Sequence, residues 1–124
     1  MATRVAERPD KADVLGNAIV RIAGLWELTN PKLGAILGLS SATASRLRRA
    51  QARLDPASKS FEAGQFLLRL FRGLDALLGS DDAAARRWLA AENLDLGGRP
   101  FDRLDTMRGL IEVCDSVDFH RARV

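Results

Sequence analysis

The sequence has no tyrosine, one cysteine and one histidine. A lone Cys114 excludes an internal disulfide, so nothing ties the chain to an oxidising compartment. Cys114 and His120 are also the only pair that could serve as nucleophile and base. They lie six residues apart, with Cys114 on an apolar helix face, and do not point to a shared pocket. The same sparse inventory is too small for a metal site. No enzymatic role and no cofactor are expected.

Long apolar runs are missing too. None approaches the roughly 20 residues of a membrane span. The first residues, Met-Ala-Thr-Arg-Val-Ala-Glu-Arg-Pro-Asp, lack the apolar core of a signal peptide. The expected location is the cytoplasm. Gly97-Gly98 is the only glycine pair, but no strand precedes it and no Lys-Ser/Thr follows, which sets phosphate cradling aside. β-Branched residues rarely cluster, while Ala, Leu and Arg dominate, so helix is favoured over sheet.

Acids are absent from one stretch and concentrated in another. Between Lys32 and Arg53 there are five cations (Lys32, Arg46, Arg48, Arg49, Arg53) and no acid. Between Asp102 and Asp118 there are five acids (Asp102, Asp105, Glu112, Asp115, Asp118) against Arg103 and Arg108. The net charge of +3 is modest. The segregation carries more weight, because it predicts different partners for the two ends.

The expected fold is all-α, a helix-turn-helix bundle followed by a small helical domain. Residues 1–9 read as a flexible arm. Asp10 can cap a first helix to about Leu28, with Val14, Leu15, Ala18, Ile19, Ile22, Leu25 and Trp26 in one stripe. Thr29-Asn30-Pro31 starts a second helix that stops at Gly38. Gly34, four residues earlier, suits a close helix crossing. A third helix is expected from about Ser41 to Ala52, with Ala44 and Leu47 facing the second.

That layout resembles a helix-turn-helix, whose second helix enters the major groove of double-stranded DNA. Arg46 is the candidate for base edges, since a guanidinium can hold guanine O6 and N7 together. Ser41, Thr43 and Ser45 are short enough to let the helix lie deep. Lys32, Arg48, Arg49 and Arg53 are expected at phosphates.

Pro56 breaks the chain, and a long helix follows from about Ser60 to Leu78. Phe61, Phe66, Leu67, Leu70, Phe71, Leu74, Leu77 and Leu78 give it a broad apolar face. That face can be the spine joining two halves of one core, a homodimer contact, or both. Ser80 or Asp81 starts a helix to about Ala91 anchored by Trp88. Pro100 opens a short helix, and Asp105 or Thr106 caps the last one, Met107 to about Val117. A tail, Asp118 to Val124, follows.

Trp88-Leu89, Asn93, Leu96-Gly97-Gly98-Arg99-Pro100-Phe101, Leu104-Asp105-Thr106, Gly109-Leu110 and Val113 form a more specific pattern. Residues 80–119 resemble the toxin-binding domain of the Xre/MbcA/ParS antitoxin family. The helix-turn-helix before it is placed as in Xre-type members, so the resemblance spans nearly the whole chain. It implies a type II antitoxin with an arm (1–9), a DNA-binding domain (10–56), a connecting or dimerising helix (57–79) and a toxin-binding domain (80–124).

The partner that the resemblance implies is a RES-domain toxin, which consumes NAD⁺. The family also dimerises and represses its own operon. Carried onto this chain, Leu96, Arg99, Phe101 and Arg103 would face the toxin from the turn, and Phe119, His120, Arg121, Arg123 and Val124 from the tail. Arg121 and Arg123 could occupy a pocket shaped for the phosphates of NAD⁺. The competing reading is a dimeric helix-turn-helix repressor with no toxin.

Overall fold

A computed structural model describes residues 10–123, which form seven helices and no strand. The arm expected over residues 1–9, and Val124 of the tail, lie outside the described residues.

Helix α1 (Lys11–Leu25) begins as the sequence predicts, with the Asp10 carboxylate accepting the Asp13 N–H at 2.9 Å. It ends earlier than the expected Leu28. Glu27 takes a left-handed φ of 56°. The N–H groups of Glu27 and Leu28 turn back onto the carbonyls of Gly24 and Ala23. This is a Schellman closure without the usual glycine. Its strain is offset by the burial of Leu28 beyond the turn.

Helix α2 (Asn30–Leu37) is capped by Thr29, and α3 (Ser41–Arg48) by Ser40. Gly38 between them sits at φ 71°, where a side chain would be strained. Gly34 is small for a different reason than a helix crossing. A Cβ there would lie 2.5 Å from the Leu39 carbonyl oxygen and 3.1 Å from that of Ser40. The turn's own backbone needs the space.

Helix α3 also stops short of the expected Ala52. Ala50 is left-handed at φ 57°, and the Gln51 N–H reaches the Arg46 carbonyl at 2.7 Å. The chain then doubles back and buries Leu54.

Helix α4 (Lys59–Leu78) runs from a Ser58 cap to Gly79. It packs on α1 and α2 with one part of its length and on α5 (Asp82–Ala90) and α7 (Met107–Ala122) with another. A short α6 (Pro100–Arg103) packs between α5 and α7. Leu15, Ile19, Leu33, Leu67, Leu74, Leu89, Leu110 and Val117 belong to one continuous core. Helix α4 is therefore a spine within the chain.

The last helix is longer than expected and continues to Ala122. Phe119, His120 and Arg121 are helical residues, not a loose tail.

Candidate functional site

The outer surface of α3 is built by its own periodicity. Ala44 and Leu47 are buried, which turns Ser41, Ala42, Arg46 and Arg49 outward. Thr43 and Ser45 are half-buried at its edge. The Ser40 hydroxyl accepts the Thr43 N–H and donates to Thr43 Oγ1, both at 3.0 Å. Arg46 Nη2 in turn donates to Thr43 Oγ1 at 3.0 Å. Arg49 Nε reaches the Ser45 carbonyl at 3.4 Å, one turn back on the same helix. These two guanidiniums lie along an acid-free helix face.

The other three predicted cations are directed elsewhere. Arg48 Nη1 donates to the Leu28 carbonyl at 2.7 Å and to Asn30 Oδ1 at 2.9 Å, so it closes the α1–α2 turn. Arg53 lies past the early end of α3 and pairs with Asp10 and Asp13 at the start of α1. The Arg53 hydrogen bond holds the Asp10 carboxyl below its usual range.

Lys32 departs furthest from the expectation. Its side chain is only 13% exposed. The ammonium donates to the Phe101 carbonyl at 2.7 Å, sits 4.0 Å from the Phe101 ring centroid and lies 2.6 Å from an Asp105 carboxylate oxygen. It joins the helix-turn-helix to α6. Arg86 makes a second joint. It donates to the Leu25 carbonyl at 2.7 Å and pairs with Glu27 at 2.9 Å, capping the end of α1 from α5. Neither joint was visible in the sequence, because each partner is more than 50 residues away.

At the other end, Asn93 to Gly98 closes a tight turn. The Asn93 N–H donates to the Gly98 carbonyl at 2.9 Å. Asn93 Oδ1 accepts the N–H groups of Asp95 and Leu96 at 3.0 and 3.2 Å. Asn93 thus organises the turn. Leu96 and Phe101 pack against the core. Arg99 grips Asp102 with two hydrogen bonds, Nε–Oδ2 at 3.0 Å and Nη2–Oδ1 at 2.7 Å. Arg103 and Arg108 share Glu112 at 3.4 and 3.2 Å. These side chains line an open cleft of about 640 Å³ whose cations are met by Asp102 and Glu112. Gly109 lets α6 meet α7, since a Cβ there would fall 2.0 Å from the Arg103 carbonyl oxygen.

The end of α7 lies beside that turn, with His120 Nε2 3.4 Å from Asp95 Oδ2. Phe119 is exposed, and the Arg123 guanidinium lies 5.3 Å from its ring centroid. Arg121 is exposed. One exposed residue here was not among the candidates read from the sequence. Leu94, at the tip of the turn, is 99% exposed. Its signal was a leucine inside a turn-forming Asn-x-Asp-x-Gly-Gly frame.

Cys114 is buried and donates to the Phe66 carbonyl at 3.4 Å. Burial pushes its thiol up to about 11, which keeps it neutral and unreactive near pH 7. Among the described residues no group of side chains is suited to a metal ion, and no helix is long and apolar enough to cross a membrane.

No curated protein matches the chain. Two family models do. An antitoxin Xre-like helix-turn-helix domain matches residues 5–72, and an antitoxin Xre/MbcA/ParS C-terminal toxin-binding domain matches residues 73–122. The boundary between them falls within α4. A helix-turn-helix with an acid-free outer helix, joined through one core to a toxin-binding region, identifies the chain as an antitoxin of the Xre/MbcA/ParS family.

Proposed function

We propose that this antitoxin neutralises a RES-domain toxin through its C-terminal region and represses its own operon, as a homodimer, through α3. The observation that carries the reading is the division of labour on one core. The cationic, acid-free face of α3 belongs to the residues matched by the helix-turn-helix model. The Asn93–Gly98 turn and the end of α7 belong to those matched by the toxin-binding model. The RES identity of the toxin rests on the resemblance of the Leu96–Phe101 and Thr106–Leu110 motifs.

In this reading Arg46 meets base edges, while Ser41, Thr43, Ser45 and Arg49 meet phosphate or base edges from the same helix. Lys32, Arg48 and Arg53 hold the reader in shape instead of touching DNA. Arg121 and Arg123 are delivered to the toxin on a helix, which restricts how far into its active site they reach. A helix end orders them before binding and lowers the entropic cost of docking. The homodimer would use the apolar surface that α1 and α4 leave open, where exposed Val14 lies beside half-buried Leu68.

Two measurements test the reading together. Arg46→Ala should weaken operator binding by about 1–3 kcal/mol and relax its sequence preference, while leaving protection against the toxin intact. Truncation after Asp118 should abolish protection and spare operator binding. Asp118 is kept because it pairs with Arg69 of α4. Protection of toxin-expressing cells by the truncated chain would refute the role of the α7 end. Unchanged affinity and selectivity of Arg46→Ala in gel-shift titrations would refute that of α3.

A further inference from the structure

We infer that Leu94 is the apolar anchor of the toxin interface, presented on a preformed turn and flanked by Phe119. The inference rests on the toxin-binding reading above and adds the residues that would carry its affinity.

A leucine 99% exposed makes almost no contact with its own chain. Its backbone nevertheless lies within a heavily bonded segment. The Asn93 N–H and carbonyl both pair with Gly98, at 2.9 and 3.3 Å. The Asn93 carbonyl also accepts the Leu96 N–H at 3.3 Å. Asn93 Oδ1 binds the N–H groups of Asp95 and Leu96. Leu96 packs inward and fastens the turn to the core, while Gly97 supplies the left-handed φ of 68° that completes it. The frame leaves the Leu94 side chain projecting into solvent from a rigid base. Such an anchor has little backbone entropy left to lose on docking.

The surroundings match the anatomy of a protein interface. The His120–Asp95 contact at 3.4 Å brings the end of α7 beside the turn. Phe119 there is 57% exposed. Asp95, His120 and Arg123 supply polar and charged groups beside the two apolar residues, the pairing of apolar anchor and polar rim that interfaces use. Among the described residues three large hydrophobics are exposed, Val14, Leu94 and Phe119. Two of the three fall within the stretch matched by the toxin-binding model. That continuity names the occupant. It is the toxin, offering an apolar recess for Leu94 bordered by groups that can receive Arg123 and Asp95.

The test uses the full chain and the purified product of the reading frame adjacent to its own. Leu94→Ala should weaken binding roughly 10- to 100-fold, the range expected for losing most of one buried leucine side chain. Leu94→Met should bind nearly as tightly as the parent. Both variants should keep the parental melting temperature and operator affinity, because Leu94 packs on nothing within the chain. Leu94→Ala binding within about two-fold of the parent would overturn the anchor while leaving the toxin reading in place. Loss of self-association by Leu94→Ala in sedimentation, with toxin binding unchanged, would also overturn it, since the occupant would then be a second copy. Failure of the parental chain to bind the neighbouring product would instead overturn the toxin reading, and the anchor with it.

Discussion

Replacing Lys32 by methionine separates a structural role from a DNA-binding one. The substitution keeps most of the aliphatic stem but removes the ammonium. That ammonium is nearly buried and satisfies the Phe101 carbonyl at 2.7 Å. A hydrogen bond to a charged donor is worth about 1.5–3 kcal/mol. The placement over the Phe101 ring adds about 0.5–1 kcal/mol. The pair with Asp105 adds little, because that carboxylate is half exposed. The expected loss is about 2–4 kcal/mol. For a chain of this length that is a fall in melting temperature of roughly 6–15 °C.

The assays are thermal unfolding of the full chain and operator titration over a range of salt concentrations. A phosphate contact would contribute about 0.9 to the slope of log affinity against log salt. The structure predicts no change in that slope and a large change in stability. A melting temperature within about 2 °C of the parent, together with a slope lower by about 0.9, would refute the reasoning and restore Lys32 to the DNA surface.

Two other substitutions probe the turn and the buried thiol. Gly34→Ala drives a Cβ against the Leu39 carbonyl oxygen. It should destabilise by about 1–3 kcal/mol and weaken operator binding by re-angling α3, and full operator affinity at unchanged stability would show that the turn has room. Cys114 has a thiol raised from its ordinary 9.0 to about 11 in the folded chain. The unfolded chain then loses this proton first, so stability should fall as pH rises from about 9 to 11, by up to about 1.4 kcal/mol per pH unit. Urea unfolding across that range should show a shallower decline in Cys114→Ala, and equal declines would remove the thiol from the account. The chain has no tyrosine to titrate over the same interval, which simplifies the comparison.

The α3 face shows where sequence reasoning succeeds. Ser40, Ala44, Leu47 and Arg46 lie within a few residues of one another, and helical periodicity alone decides which point inward. The starts of α1, α2 and α7 were legible for the same reason, since a cap and the N–H it accepts are three residues apart. The ends of α1 and α3 were not. Glu27 and Ala50 accept left-handed conformations without glycine, and the burial of Leu28 and Leu54 beyond them, with Arg86 pairing to Glu27, offsets that strain.

The sequence by itself determined an all-α chain, the position of the second helix of its helix-turn-helix, and the motif that carries its family membership. Each rests on spacing along the chain, which any helix converts directly into a face. Only the tertiary structure decided the fate of individual cations. Lys32, Arg48 and Arg53 look equivalent to Arg49 in sequence, all expected at phosphates, yet they meet Phe101 and Asp105, Leu28 and Asn30, and Asp10 and Asp13. A long charged side chain goes to whichever acceptor the fold brings within reach, and those acceptors lie up to 73 positions away along the chain. Leu94 is the converse case. Its side-chain type suits a core, and the closure of its turn leaves it in water.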